Sequence, residues 1–417
     1  MLLRFRTANV RSLRDEQELS FVVSQDDDSD VARTVGLSDG KQLRVYPLLG
    51  IFGANASGKS NVVFALKKMR EAVLNSYAQW TSYQGIPREV FALDPKAAAE
   101  SAFYEVDFVL DDEVRWTYGF ELGSKRVESE WLHAYPKGRR QVWLDRDSSR
   151  AKVFDFPGER IQDRALLART TRPDALFLSR AANDNHPQLT RIYRWFQRNL
   201  WDITPETEIA EREAFTARQL LDPAARERIE ELLRVADLGI SGAEVEHHPG
   251  RPPSVKLLHA GGSEEPVALD WQRESFGTRS WFALIGPLLL ALDQGAVLLI
   301  DELDASLHPR FAAEVVRLFQ APWANTNAAQ LVFTSHDPSL LSAPRGGRLL
   351  EPGQIWLTEK DKHGATEIYP LSDVEPGAEE DLTDSYLAGA FGGVPRMAAG
   401  QIGRELLTVR AREAERS

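Results

Sequence analysis

The chain has 417 residues, 43% of them hydrophobic and 27% charged, with a formal net charge of −12 and a pI near 5.3, proportions that suit a soluble globular protein whose length one large α/β domain with an insertion can absorb. The acidic balance excludes a uniformly basic nucleic-acid-binding surface, though not a local basic groove. No cysteine is present, which excludes disulfides, thiolate zinc sites and cysteine nucleophiles.

The opening MLLRFRTANV is too charged for a signal peptide and no apolar window reaches the length of a membrane span, so a cytoplasmic location is expected. LRFRTANV, ELSFVV and RVYPLLGIFG alternate and then run apolar, predicting strands that lead into a glycine-rich turn. A helix over 61–77 follows, with Val62, Leu66, Met69 and Val73 on one face. Residues 101–145 alternate again between Asp-Asp and Gly-Ser turn signals, predicting an antiparallel meander. From 151 to about 240 the pattern becomes arginine-rich and helical, with Ile229, Leu232, Leu233 and Ala236 sharing a face, and 241–265 read as loops around short strands. The chain then returns to α/β: a helix over 278–293, strands at 296–300 and 330–335 with a helix between them, and a hairpin turning near His363-Gly364. Three regions result: an N-terminal lobe over 1–150, a mainly helical insertion over 151–265 and a C-terminal lobe over 266–417.

Gly53-Ala54-Asn55-Ala56-Ser57-Gly58-Lys59-Ser60 fits the phosphate-binding loop G-x-x-x-x-G-K-[ST]. Its glycines let backbone N–H groups converge on phosphates, and the following helix, beginning at Asn61, turns its positive end toward them. Lys59 is expected to reach the β- and γ-phosphates of ATP and Ser60 to ligate Mg²⁺. The apolar strand 296–300 ends in Asp301 and Glu302, where a parallel sheet delivers carboxylates to its carboxyl edge. Asp301 there suits Mg²⁺ and Glu302 the attacking water. A second apolar strand ends at Thr334-Ser335-His336, which offers an imidazole to the γ-phosphate. Glu274-Ser275-Phe276-Gly277-Thr278 opens a helix, which by itself is ordinary capping chemistry. Acids interleave the arginines of the insertion, so those helices read as mixed-charge solvated faces, with a recognition surface as the alternative. Glu246-His247-His248 reads as a surface loop rather than a metal site.

Taken together, GANASGKS, ESFGT, VLLIDELDASLHP and FTSHD resemble the Walker A, signature, Walker B with D-loop, and switch histidine of the SMC/RecF branch of ABC ATPases. RFRTANVRSLRDEQELSF resembles that branch's first strand-loop-strand, which implies nucleotide contacts from Arg11 and Ser12. DELDASLHP, the QIWLTEKDKHG…IYPLSD tail and YLAGAFGGVP resemble the AAA-type ATPases of abortive-infection systems, such as that of the PARIS anti-phage system. The resemblance implies a P-loop ABC-type fold with a mixed sheet, an antiparallel first-lobe subdomain and a helical insertion. It also implies binding and hydrolysis of ATP with Mg²⁺, and a homodimer in which Ser275, Gly277 and Thr278 of one copy complete the site of the other. Two departures stand out: ESFGT shares only Ser275 and Gly277 with L-S-G-G-Q, and His308 occupies the usual place of the D-loop aspartate. The Q-loop glutamine is not identified, since Gln84 reads as a surface residue.

The family likeness implies a dimeric or larger sensor or scaffold in bacterial defence, controlling a separate effector, in particular a nuclease, in answer to a phage trigger protein. The alternative is a RecF-like repair or chromosome-maintenance ATPase on duplex DNA, against which the acidic charge and the lack of a long coiled coil count. A fused nuclease is disfavoured because the roughly eighty residues after His336 lack an evident set of acidic metal ligands.

Overall fold

A computed structural model describes residues 1–24, 29–203, 209–236, 239–246, 250, 253–262, 265–305, 307–342, 347–377, 380–394, 400–401, 403–404, 406–407 and 409. In chain order, β1 (Leu2–Ala8) and β2 (Gln17–Ser20) pair antiparallel, and β3 (Arg33–Gly36) and β4 (Gln42–Val45) make a separate hairpin. β5 (Leu48–Gly53) runs into α1 (Lys59–Gln79), and the short α2 (Pro95–Ala99) precedes the meander β6 (Ala102–Val109), β7 (Arg115–Leu122), β8 (Val127–Ala134), β9 (Gln141–Asp147) and β10 (Phe154–Asp155). Helices α3 (Arg164–Thr170), α4 (Phe177–Asn183) and α5 (Leu189–Asn199) lead to β11 (Leu200–Ile203). After α6 (Ile209–Gln219) and α7 (Pro223–Ala236) come β12 (Ile240–Glu246), β13 (Ser254–His259) and β14 (Val267–Asp270). The last stretch holds α8 (Phe276–Gln294), β15 (Val297–Ile300), α9 (Pro309–Gln320), β16 (Gln330–Ser335), the hairpin β17 (Ile355–Lys360) and β18 (Thr366–Pro370), and α10 (Leu382–Leu387).

Two large sheets result. The first is antiparallel, in the order β10-β9-β8-β7-β6-β1-β2. The second is mixed, in the order β11-β15-β16-β5-β17-β18, with five parallel strands and β18 antiparallel at the edge. This is the α/β class that the motifs imply. The inner strands LLGIFG, VLLI and QLVFTS are buried throughout, as expected of parallel strands covered on both faces. Their alternation still has a function. Leu49, Ile51, Val297, Leu299 and Val332 point into a core shared with α1 and the first sheet, whereas Leu48, Phe52, Leu298, Ile300, Leu331 and Phe333 point into one built on α8 and α9. Gln330, 1% exposed, joins the sheets by accepting from Leu2 N at 2.7 Å and donating to Leu2 O at 2.8 Å.

The α1 face expected from spacing is buried at Val62, Leu66, Met69 and Val73. The segment 151–265 divides between the cores. Phe177, Ile192 and Phe196 of α4 and α5 join the first, while Ile229 and Leu233 of α7 join the second. α6 lies against α8 at Gly286, where a Cβ would sit 2.5 Å from Thr216 Oγ1. Several arginines of this segment are occupied by neighbouring acids: Arg172 with Asp174, Arg191 with Asp112, Arg226 with Glu230 and Arg228 with Asp293. Such pairs are those of a solvated, mixed-charge face. Glu246 pairs with Lys256, and His247 and His248 lie outside the described residues. Among the described residues no helix is long and apolar enough to cross a membrane.

Candidate nucleotide-binding site

The sheet order brings the separate motifs to one edge. β15, β16 and β5 are parallel neighbours, so Asp301-Glu302, His336 and the loop after Gly53 all leave the sheet at its carboxyl end, where α/β folds bind ligands. The loop turns on residues at positive φ, with Gly53 at 156°, Ala56 at 62° and Gly58 at 112°. The glycines are required for space as well as for φ: a Cβ on Gly53 would lie 2.3 Å from Thr358 Oγ1, and one on Gly58 2.2 Å from Thr366 Oγ1. Asn55 and Ala56 are exposed, and with Ser57 they line a cleft of about 710 Å³ whose other wall is the β17–β18 hairpin.

Thr358 and Thr366 reveal a clasp that motif reading does not show. Thr358 Oγ1 donates to Phe52 O at 3.2 Å and lies 2.6 Å from Ser57 Oγ, which therefore donates to it. Thr366 Oγ1 donates to Ser57 O at 2.7 Å and lies 2.7 Å from Ser12 Oγ, which in turn accepts from Asn61 Nδ2 at 2.6 Å. Ser12 and Asn61 thus meet the loop by a directed chain of hydrogen bonds. Arg11 stacks over Phe64 of α1 and pairs with Glu89 at 2.8 Å. Asn9, 4% exposed at φ 54°, fixes this element by donating to Ala97 O at 2.7 Å and accepting from Phe91 N at 3.0 Å.

Lys59 is buried and donates to Gly53 O at 2.8 Å and Ala54 O at 3.1 Å. Burial pulls its amine below the usual lysine range, opposed by the negative charges of Asp304, Glu302 and Asp301, in that order. Ser60 follows it at the start of α1, half-buried. Across the sheet, Thr334 Oγ1 donates to Asp301 Oδ1 at 2.7 Å and accepts from Glu302 N at 2.7 Å. Leu303 N donates to Thr334 O at 3.0 Å, so the acidic turn stays zipped to β16 while Glu302 takes φ 57°. Strain of this kind in a non-glycine residue concentrates at functional sites.

Two residues here were not singled out by sequence reasoning. The sequence pattern marks Thr334 only as a strand end and gives Asp304 no role. His336 Nε2 lies 3.3 Å from Asp304 Oδ2. The D-x-x-D spacing of Asp301 and Asp304 was the available signal for the second of them.

Ser275 caps α8, its Oγ accepting from Thr278 N at 3.1 Å, and both Ser275 and Gly277 are exposed. Glu274 is held by His259 at 2.8 Å. Ser275, Gly277 and Thr278 line a cleft of about 210 Å³ beside Leu307 and His308, which shares no lining residue with the cleft at the phosphate loop. His308 caps α9, its Nδ1 accepting from Arg310 N at 3.2 Å. Gln84 is exposed beyond the end of α1.

Residues 48–342, from β5 to just beyond His336, match the family described as "AAA domain, putative AbiEii toxin, Type IV TA system". The chain belongs to this family. Its AAA domain thus takes in the phosphate loop, α8, the acidic turn and His336, and leaves out β1, β2 and the β17–β18 hairpin that clasp the loop. The fold is also similar to the SMC head domain from Thermotoga maritima, at 13% identity and a TM-score of 0.43 over 88% of this chain and 98% of that one. A second similar structure is an SMC head bound to the C-winged helix domain of ScpA, at 14% identity and a TM-score of 0.46 over 90% and 99%. No curated protein matches the chain.

Proposed function

We propose that this AAA-family chain binds and hydrolyses ATP with Mg²⁺, at a site completed by the signature helix of a second copy. The observation that carries the reading is the convergence of 53–60, Asp301-Glu302 and His336 on the carboxyl edge of three adjacent parallel strands. The residues fit the nucleotide: the loop folds so closely on Thr358 and Thr366 that Gly53 and Gly58 admit no Cβ, and α1 opens behind it with its N–H groups forward. They also fit Mg²⁺. Ser60 and Asp301 are hard oxygen donors, and two such ligands suit a cation that keeps waters and substrate phosphates in the rest of its shell. Bound there, Mg²⁺ neutralises charge on the β- and γ-phosphates.

In this mechanism Lys59 leaves the carbonyls of Gly53 and Ala54 for the phosphates, and Gly58, Lys59 and Ser60 present backbone N–H groups to them. Glu302 accepts a proton from the attacking water as its oxygen bonds the γ-phosphorus and the bond to ADP breaks. His336 meets the γ-phosphate. Ser275, Gly277 and Thr278 sit at an exposed helix start in a cleft apart from their own chain's loop, which suits donation to a partner copy. The biological reading is a cytoplasmic dimer or larger assembly in anti-phage defence that controls a separate effector, most simply a nuclease; the AbiEii-type family supports it. Phosphate release should require Mg²⁺ and vanish in Lys59→Ala, and cells carrying the native locus should lose phage protection with the same change. Magnesium-dependent hydrolysis that survives Lys59→Ala would remove the basis of the proposal.

A further inference from the structure

We propose that Asp304 is a positioning residue for hydrolysis, holding the imidazole of His336 toward the γ-phosphate end of the site. This rests on the nucleotide reading above and assigns a role to a residue that neither the motif reading nor the family match assigns.

Three observations lead to it. Asp304 Oδ2 lies 3.3 Å from His336 Nε2, and the carboxylate is nearly buried, with 6% of the side chain exposed, whereas half of the His336 side chain is exposed. The other oxygen, Oδ1, is buried and has no hydrogen-bond partner among the described residues. A carboxylate held in that condition costs stability unless a cation or donor faces it. Lastly, Asp304 follows the Asp301-Glu302 turn that Thr334 holds at the carboxyl edge of the sheet, next to β5 and the phosphate loop that leaves it.

The backbone makes the contact a product of the fold. Leu303 N pairs with Thr334 O, so the residue after Leu303 must lie beside the end of β16, and Ser335 Oγ accepts from Asp337 N at 2.9 Å to shape the turn that carries His336. An exposed imidazole on such a turn has freedom about both side-chain torsions, and one carboxylate at one ring nitrogen removes most of it. If Nε2 carries the proton shared with Asp304, Nδ1 is the lone-pair nitrogen left facing the site, able to accept from the attacking water beside the γ-phosphate and to donate to a phosphate oxygen only when it too is protonated. That is the orienting logic by which a carboxylate fixes a histidine's tautomer. Contacts at the long end of hydrogen-bond range tighten when substrate fills a site.

The test uses the full chain with Asp304→Asn and Asp304→Glu, beside His336→Ala. In ¹⁵N-histidine spectra of the nucleotide-free protein, wild type should show His336 in a single tautomer protonated at Nε2, and Asp304→Asn should show averaged nitrogen shifts. In steady-state hydrolysis, Asp304→Asn should lower kcat by about tenfold to a hundredfold with KM nearly unchanged. Asp304→Glu should recover part of that loss, and Asp304→Asn should add nothing to His336→Ala. Unchanged His336 shifts in Asp304→Asn, or additive losses in the double variant, would overturn the assignment. If wild type itself hydrolyses no ATP, the proposed function fails, while the spectra still decide whether Asp304 orients His336.

Discussion

Replacing Thr334 by valine tests the acidic turn with almost no change of shape. The threonine is fully buried, and its one hydroxyl makes two bonds at 2.7 Å, donating to the carboxylate of Asp301 and accepting from the backbone N–H of Glu302. The bond to the charged acceptor is worth roughly 1.5–3 kcal/mol, and leaving the Glu302 amide without a partner costs about 1–3 kcal/mol. A buried methyl returns about 0.8 kcal/mol, so the net loss is roughly 2–5 kcal/mol. Because the two bonds hold Asp301 and Glu302, the proposed magnesium ligand and base, side by side, that loss should fall mainly on catalysis. At about 1.4 kcal/mol per factor of ten, kcat should drop by about thirtyfold or more, with only a few degrees lost in Tm. Thr334→Ser keeps the hydroxyl and should stay within about fourfold of wild type, a bound set by the lost methyl. Phosphate release and differential scanning calorimetry on the three proteins decide it. Wild-type turnover in Thr334→Val would refute the claim that this hydroxyl organises the turn.

Glu302→Gln should bind ATP about as tightly as wild type while kcat falls by about 10²–10⁴, and the nucleotide-bound dimer should accumulate in size-exclusion chromatography; equal turnover would end the role given to Glu302. Gly58→Ala places a Cβ 2.2 Å from Thr366 Oγ1 at φ 112°, a conformation worth about 1–3 kcal/mol of strain before the clasp is disturbed. ATP affinity should therefore weaken at least about tenfold by calorimetry, and unaltered affinity would show that the loop does not need this geometry. Mixing Ser275→Arg with Lys59→Ala protein should restore a fraction of hydrolysis, because heterodimers then hold one intact composite site; no recovery at any ratio would exclude completion by a partner copy.

Where a site residue was legible in the sequence, its chemistry was written in contiguous residues. The loop at 53–60 needs glycines, a lysine and a serine at fixed spacing, and Asp301 and His336 each terminate an apolar strand, so the local pattern locates them. The division of 151–265 between two cores was not legible, since α4 and α7 have the same amphipathic signature and only the surfaces awaiting them differ. Asn9 was equally opaque. Its four partners lie at 91, 97, 100 and 101, and an asparagine in a turn reads as a turn former whether or not it bridges to another segment.

The clasp shows why strand order is the missing information. β17 and β18 were expected as a hairpin, but nothing in their residues says that β17 lies parallel to β5. Once it does, the register sets Thr358 opposite Gly53, and the antiparallel return brings Thr366 to Ser57 and Ser12. Two threonines some three hundred residues downstream thereby become part of the phosphate loop's support. The same register ties the loop to β1 and β2 through Ser12 and Gln17, whose Oε1 accepts from Ile368 N at 2.8 Å. A displacement of the hairpin would therefore pull on Ser57 from one side and on Ser12 from the other. Nucleotide affinity should accordingly respond to anything that docks on the hairpin.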